Sequence, residues 1–484
     1  MCIHPVFQTS KVQPIIAQKG RDMSSKFTWF PKGVQTETTL KMLQAKITKV
    51  TVSDVRFPTS LEQHGSDAMH TDPDYSTAYV VLDTDTSLKG FGLTFTVGRG
   101  TEIVVCAVET LSTVVVGKTL EEIVSDFRGF YRLLANDGQM RWIGPEKGVI
   151  QLATAAILNA VWDMWARAEG KPLWKLLVDM DPRQLIRCID FTYITDALTE
   201  QEALDILEKA NKGKQQREDQ MLKEGYPAYT TSCAWLGYSD EQLTQLCSTA
   251  LGEGWTRFKV KVGADLQDDI RRCKLIRNMI GPENLLMIDA NQRWDVSEAI
   301  SWVSRLAEFR PLWIEEPTSP DDILGHAAIS KALAPLGIGV ATGEQCHNRV
   351  MFKQFLQASA LQFVQIDSCR VGSVNENLAI MLMAAKFKVP VCPHAGGVGL
   401  CELVQHLILF DYISVSASLD NRMCEYVDHL HEHFQSPTVI RNAHYIPPKD
   451  PGFSCEILEA SVQKYQFPRG EVWRCILGAD TPIF

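Results

Sequence analysis

The sequence predicts an α/β protein: a (β/α)-barrel preceded by an α+β capping domain. Three observations predict it. From about Pro227 onward, eight short β-rich runs alternate with amphipathic helical stretches. The runs are "YTTSCAWLG", "RFKVKVG", "LLMIDANQ", "PLWIEEPT", "GIGVATGEQ", "LQFVQIDSCR", "VPVCPHAGG" and "YISVSASL". They recur roughly every 25–30 residues, the repeat of a barrel of about 250 residues. Alternation alone also fits a doubly wound open sheet; eight units favour the barrel. Second, residues 45–98 have the rhythm of an antiparallel sheet. Third, ionisable residues gather at the C-terminal ends of the runs, where such barrels build their active sites.

In chain order, the first 40 or so residues stand apart. "MCIHPVFQTSKVQPIIAQKGRDMSSKF" is rich in Lys, Ser and Gln and poor in acids, as in a mitochondrial transit peptide. It holds one arginine, Arg21, and no clear amphipathic helix, so a disordered tail fits equally well. The mitochondrion is the expected compartment and the cytoplasm the alternative. Next, "AKITKVTVSDVRF", "TAYVVLDTD" and "GFGLTFTVG" alternate apolar and polar residues between turn-rich joins. Thr119 with Glu122 makes a capping box for one helix, "TLEEIVSDFRGFYRLL". "GVIQLATAAILNAVWDMWARAEG" is the most apolar long stretch. Its Asn159, Asp163 and Arg167 argue for a buried helix rather than a membrane span, and Gly170 and Pro172 stop it. Ser239 with Gln242, and Asp295 with Glu298, offer capping boxes among the barrel helices. The expected division is a tail over 1–42, a cap over 43–185, a barrel over 186–440, and a segment over 441–484 that packs back on the cap.

Composition narrows the function. The 484 residues are 45% hydrophobic and 22% charged, as in ordinary globular proteins. A net charge of -10 without a basic run argues against nucleic acid as a partner, and no membrane span is expected. The 13 cysteines form no C-x-x-C pair. That argues against a disulfide framework or structural zinc and for a reducing compartment.

In "RFKVKVG", Phe258, Val260 and Val262 alternate with Lys259 and Lys261. Both faces of a parallel sheet are buried, so the lysines point into the barrel, where an ammonium needs partners. The other runs supply them. The third ends in Asp289 and Asn291, the fourth in Glu315 and Glu316, the fifth in Glu344, the sixth near Asp367 and the seventh near His394. Carboxylates on three neighbouring strands repel one another. A hard divalent cation relieves this, and oxygen ligands with room for water and substrate suit Mg²⁺. Lysines stand on one side of that cation. His394, oriented by Asp367, stands on the other. This is the layout of a proton-abstraction site, in which Mg²⁺ holds a substrate carboxylate and stabilises the enediolate. A lysine beside a metal and a second lysine is expected to have a lowered pKa and to act as base.

Lys-x-Lys, Asp-x-Asn, "IEEPT", "GE", then Asp and His on successive strands resemble the enolase superfamily, in its mandelate-racemase-like branch. "FPTSLEQHGSDAMHTDPDYS", "SCAWLGYSD", "TGEQCHNRV", "PHAGGVGLCELVQH" and "CEYVDHLHEHF" are similar to acid-sugar dehydratases of that branch, those of L-fuconate above all. The similarity covers roughly residues 43–475. It implies an enolase-type (β/α)7β barrel and one Mg²⁺ per subunit on Asp289, Glu315 and Glu344. Periodicity alone does not choose between Glu315 and Glu316; the resemblance picks Glu315. It further implies Lys261 as the base at C2 and Lys259 as the partner of the substrate carboxylate. His394, with Asp367, protonates the departing 3-hydroxyl, giving a 2-keto-3-deoxy acid. Asn291, Glu344 and His394 are also implied to touch substrate, as is Glu425 just after the eighth strand. Gly65, Ser66, Asp67 and Tyr75 belong to a loop over the barrel mouth that meets the distal end of the substrate. Ala395 and Gly396 offer backbone contacts. By analogy the chain forms a homo-oligomer.

Each residue alone has an ordinary explanation. Lys259 and Lys261 suit a solvated strand face, Asp289 and Asn291 an Asx turn, and Glu315 with Glu316 a strand end before Pro317. His394 suits a hydrogen-bonded structural role, and 65–75 an exposed loop. Joint placement carries the reading. His429, His431 and His433 are read as a surface segment rather than a metal cluster, and "HAGGVGL" lacks G-x-G-x-x-G. The rival enzymes are an acid-sugar racemase or epimerase and a dehydratase of another acid such as a galactonate or arabinonate. A non-catalytic binding protein on the same barrel is the rival from another class. The presence of Lys261, His394 and all three metal-type carboxylates argues against it.

Overall fold

The structure is a computed structural model that describes residues 37–478; the N-terminal stretch read as a transit peptide or tail lies outside them, except at its last residues. Strands β1 (Ile47–Arg56), β2 (Ser76–Thr84) and β3 (Lys89–Thr96) form an antiparallel sheet in that order, with Val52 opposite Val80 and Tyr79 opposite Leu93. The helix Gly148–Ala168 lies on β3. Gly90 and Gly92 permit this approach, since a Cβ at either would stand 2.3 Å from the carbonyl oxygens of Ala160 and Ala156. The helix is long and apolar enough to cross a membrane, yet 94% of its apolar window is buried inside the protein. Its polar side chains are matched: Asn159 donates to the Leu93 carbonyl, and Asp163 accepts from the Phe91 and Phe453 amides and from Arg167. Satisfied in this way, they cost little to bury. "TLEEIVSDFRGFYRLL" forms two helices, Leu120–Ser125 and Phe127–Ala135, rather than one. The Thr119 capping box is present, but Asp126 leaves the helix at φ −135° and accepts the Gly129 amide to start the second. Aspartate competes for backbone donors in this way.

The barrel strands β4 (Tyr226–Thr230), β5 (Arg257–Lys261), β6 (Leu285–Asp289), β7 (Trp313–Glu315), β8 (Gly339–Thr342) and β9 (Phe363–Val364) pair in parallel, each with the next. Residues 390–392 continue the ring through Val364 N–H to Pro390 O at 2.9 Å and Cys392 N–H to Val364 O at 2.8 Å. Strand β10 (Cys424–Tyr426) closes it: the Glu425 amide donates to Pro393 O, and the strand pairs in parallel with β4. Seven ring helices run from Asp240–Gly252 to Leu400–Phe410, giving (β/α)7β. Ser239 caps the first of them, whereas Asp295 makes no side-chain cap.

Two strand expectations fail as well. "YISVSASL" is not the eighth strand; Asp411–Ser416 extends the preceding helix as a buried π-helical turn. Its β-branched and aromatic residues fit a buried helix as well as a strand, and tertiary packing decides. The eighth strand is the short "CEY" that follows. The first strand also begins earlier than expected, at Tyr226, so Thr231 to Gly237 form a loop.

The barrel interior explains the polar layer. Tyr229, Met287, Trp313, Ala341, Phe363, Cys392 and Met423 make a separate apolar cluster. Two residues further along the chain come Asp289, Glu315, His394 and Glu425, so a period of two stacks polar groups above an apolar plug. Phe258, Val260 and Val262 belong to the other core, beneath the helices.

The hairpin β11 (Ile440–Arg441) and β12 (His444–Tyr445) adds antiparallel to the start of β4. The chain then returns to the cap, where the Phe467 amide donates to Asp54 O and Trp473 Nε1 to Arg56 O, both at 2.8 Å. Across the barrel mouth, the cap loop over 57–75 docks through Leu236 N–H to Ser66 O. The rings of His64, Tyr75, Trp235 and His429 pack there with centroids 5.2–5.6 Å apart.

Candidate active site

The lysines of β5 point inward, as the parallel sheet requires: Lys259 is 1% exposed and Lys261 8%. Lys259 Nζ meets Glu315 Oε1 and Glu425 Oε1 at 2.7 Å and Asp289 Oδ2 at 3.2 Å. Lys261 Nζ donates to Asp289 Oδ2 at 2.6 Å and Asn291 Oδ1 at 3.0 Å. Asn291 also closes the Asx turn onto Asp289, so the ordinary reading and the functional one coexist. Carboxylate oxygens of Asp289, Glu315 and Glu344 lie within 4.8 Å of one another. Glu316 takes a positive φ of 42° and accepts Gln292 Nε2 instead, so geometry as well as resemblance singles out Glu315.

The donor set fits a hard divalent ion. Four carboxylates, those of Asp289, Glu315, Glu344 and Glu425, outnumber the two ammonium groups among them. That crowding shifts the carboxyls in opposite directions. Burial, with Asp289 beside it, pushes the Glu315 carboxyl up to about 8. Glu425 moves the other way, to about 2: burial opposes this, but Lys259 and His394 outweigh it. Lys261 departs from the sequence expectation. Burial favours a lowered pKa, but the attraction of Asp289, with Asp67 and Glu344, holds it above the ordinary value. The protein's own charges therefore keep it an ammonium, and a cation on the carboxylate trio would oppose that local field.

Across the site, His394 Nδ1 lies 2.7 Å from Asp367 Oδ2, while Asp367 Oδ1 accepts the Cys369 and Arg370 amides at 2.6 and 2.7 Å. The carboxylate fixes the proton on Nδ1 and turns Nε2 toward Glu344 Oε2, 3.4 Å away. Burial lowers the pKa of the ring, but Glu344 and Asp367 raise it more, to about 9. The imidazole is thus charged at neutral pH and able to give up a proton.

A cavity of about 270 Å³ lies between cap and barrel. Its wall includes Gly65, Asp67 and Tyr75 from the cap, and Lys261, Asn291, Glu344, Asp367, His394, Gly396 and Glu425 from the barrel. Three expected contacts stand back from it. Lys259 lies beneath, bound to carboxylates. Ser66 Oγ donates to Thr71 O, and the Ala395 amide donates to Glu425 Oε2, so both protons are already committed. Glu425 lies on the eighth strand itself rather than just after it, because that strand comes later than the sequence suggested. Phe95, Trp235, Arg370 and His70 also line the cavity and were not foreseen. Trp235 was hidden inside a stretch read as strand. The three histidines over 429–433 diverge: His429 packs on Tyr75, His431 binds Glu402, and His433 meets Ser461.

Residues 47–178 match the N-terminal domain family of mandelate racemase / muconate lactonizing enzyme, and 242–461 match the enolase C-terminal domain-like family. The chain is 74% identical over 438 residues to mitochondrial enolase superfamily member 1 of Xenopus laevis, covering 90% of this chain and 98% of that protein. It is 50% identical over 437 residues to L-galactonate dehydratase of Hypocrea jecorina, covering 89% and 97%. The crystal structure of human mitochondrial enolase superfamily member 1 superposes with a TM-score of 0.90 at 72% identity, over 90% of this chain and all of that one (100%). A racemase from Streptomyces coelicolor A3(2) with bound magnesium gives a TM-score of 0.65 at 25% identity, over 85% and 97%. With both domains matched and relatives aligned along nearly their whole length, this chain belongs to the enolase superfamily, in its mandelate racemase branch.

Proposed function

We propose that the protein is a Mg²⁺-dependent acid-sugar dehydratase that converts L-fuconate to 2-keto-3-deoxy-L-fuconate and water. One observation carries the reading: Lys261 and His394, from the second and seventh strands of the ring, line one cavity together with Glu344 of the carboxylate trio. The names of relatives, L-galactonate dehydratase among them, support sugar acids as the substrate class. L-Fuconate is the 6-deoxy counterpart of L-galactonate.

Asp289, Glu315 and Glu344 would hold the cation, which would supply the positive charge that offsets the negative charge building on the substrate carboxylate and eases proton loss from Lys261. Lys261 Nζ, positioned by Asn291, takes the proton from C2. His394 Nε2–H gives its proton to the 3-hydroxyl as the C3–O bond breaks, and water leaves. Asp367 keeps the imidazole in the tautomer this needs. Glu425 anchors Lys259 under the substrate carboxylate. The enol left behind takes a proton at C3, releases the proton of its 2-hydroxyl, and becomes the keto acid.

The test is a screen of purified protein against sugar acids, L-fuconate and L-galactonate included, in Mg²⁺ and in EDTA. Mg²⁺-dependent keto-deoxy product that disappears in Lys261→Ala and His394→Asn supports the reading. An inverted C2 centre without loss of water would instead make it an epimerase. The relatives' name and the basic N-terminal stretch support the mitochondrion as the compartment, to be tested by fractionation. A homo-oligomer is proposed by analogy and tested by light scattering.

A further inference from the structure

We infer that His70, held by Asp67, is the group through which the cap reads the distal end of the substrate. The inference rests on the acid-sugar reading above. In the loop over 65–75, Ser66 and Asp67 spend their side chains on the loop itself, whereas Tyr75 and His70 line the cavity. Asp67 Oδ1 accepts the Met69 and His70 amides at 2.7 and 2.6 Å, and Oδ2 lies 3.0 Å from His70 Nδ1. The Asp67 amide donates to His70 O, and Ser66 Oγ to Thr71 O. These bonds close residues 66–71 into a turn whose carboxylate is 8% exposed. Asp67 thus lines the cavity with a carboxylate already engaged three ways.

His70 is the opposite case. Its side chain is 38% exposed and shares the cavity wall with Lys261 and Glu344. With Nδ1 on the carboxylate, Nε2 is the ring atom left, and among the described residues it has no protein partner. Neutral, it accepts from a hydroxyl; charged, it donates to one. The cavity therefore holds two imidazole–carboxylate pairs. His394–Asp367 rises from the barrel and serves the chemistry at C3. His70–Asp67 descends from the cap, in the loop that Leu236 and the His64–Trp235 contact fasten to the barrel. On this account His70 is a specificity-determining residue and Asp67 its positioning residue.

The experiment compares two acids, L-fuconate and the four-carbon acid that keeps its C2 and C3 configuration but lacks the distal carbons. Each is assayed for turnover and for Mg²⁺-dependent binding by calorimetry. His70→Leu should lower kcat/KM and affinity for L-fuconate by about 10- to 100-fold, the size of one hydrogen bond to a charged group. The loss should appear mainly in KM, and the four-carbon acid should change by less than about twofold. His70→Gln, which restores a polar atom at similar reach, should recover part of the loss. Asp67→Asn keeps an oxygen for the two amides but loses the charge that fixes the ring, and should show the same selective penalty. Equal losses on both acids, or none on L-fuconate, would overturn the inference; an unchanged Asp67→Asn would remove Asp67 from it. Wild type that binds L-fuconate without turnover would sink the dehydratase reading alone, because the binding comparison still decides the role of His70. Wild type that binds neither acid would overturn both.

Discussion

Replacing Asp367 by asparagine should separate the two proton transfers. The Cys369 and Arg370 amides, 2.6 and 2.7 Å from Oδ1, hold the amide oxygen of an asparagine in the same place. Its NH₂ then faces His394 Nδ1, where Oδ2 sits at 2.7 Å. Two donors cannot share that contact, so the ring loses its Nδ1 proton and with it the charged, acidic form. The charge-assisted hydrogen bond forgone contributes about 1.5–3 kcal/mol, or about 10- to 150-fold in rate. Lys261 leans on Asp289 and Asn291 and is untouched. In D₂O the variant should exchange the C2 proton of L-fuconate at close to the wild-type rate, while keto-deoxy product falls by that factor. A parallel fall in exchange and dehydration, or dehydration undiminished, would refute the assignment of His394 and Asp367 to the second transfer.

Three further predictions concern metal, loop and stability. Mg²⁺ at about a hundred times its dissociation constant should stabilise the fold by about 2.7 kcal/mol. The matching rise in Tm should vanish in Asp289→Asn and Glu315→Gln, and an undiminished rise would place the ion elsewhere. At Gly65, φ is +80° and an added Cβ would lie 2.4 Å from the Tyr75 hydroxyl. Gly65→Ala should therefore displace the cap loop and raise KM for L-fuconate by about tenfold or more, at roughly 1–2 kcal/mol of strain, while Mg²⁺-induced stabilisation persists. His431 presents Nδ1 to Glu402 at 2.6 Å and Nε2 to the Val427 carbonyl at 2.7 Å, so both nitrogens meet acceptors. Burial lowers the pKa of this ring, but Glu402 outweighs it and the folded value rises to about 9. A raised folded value means the stabilisation is complete below the unfolded value of about 6.5 and is lost as pH climbs through about 9. Denaturant titrations should lose up to about 3 kcal/mol over that interval, and His431→Asn should flatten the dependence.

The polar layer was legible because strands have a period of two. Once Met287, Trp313, Cys392 and Met423 fill the barrel, the residues two places on must share its mouth. Asp289 and His394 could therefore be placed from their runs alone, whereas choosing Glu315 over Glu316 took the family resemblance. The last strand could not be placed. Three residues, Cys424 to Tyr426, carry little pattern, while Tyr412 to Val415 look β-like yet coil as a buried extension of a helix. Other failures come from competition among groups distant in sequence. The charge on Lys261 depends on whether burial or three carboxylates prevail. Whether Asp67 or His70 is free depends on which amides the loop folds toward the carboxylate. Asp126 splits one expected helix because its side chain wins a single amide.

The central claim is that Lys261 removes the C2 proton of a sugar acid held above the carboxylate trio. The most direct measurement follows L-fuconate by NMR in D₂O with Mg²⁺, for wild type and Lys261→Met. The account predicts a 2-keto-3-deoxy product from wild type carrying one solvent deuterium at C3. From the variant it predicts neither product nor exchange at C2, although the variant stays folded and is stabilised by Mg²⁺. Product or C2 exchange persisting in Lys261→Met, or no reaction of any sugar acid in folded, Mg²⁺-loaded wild type, would contradict it.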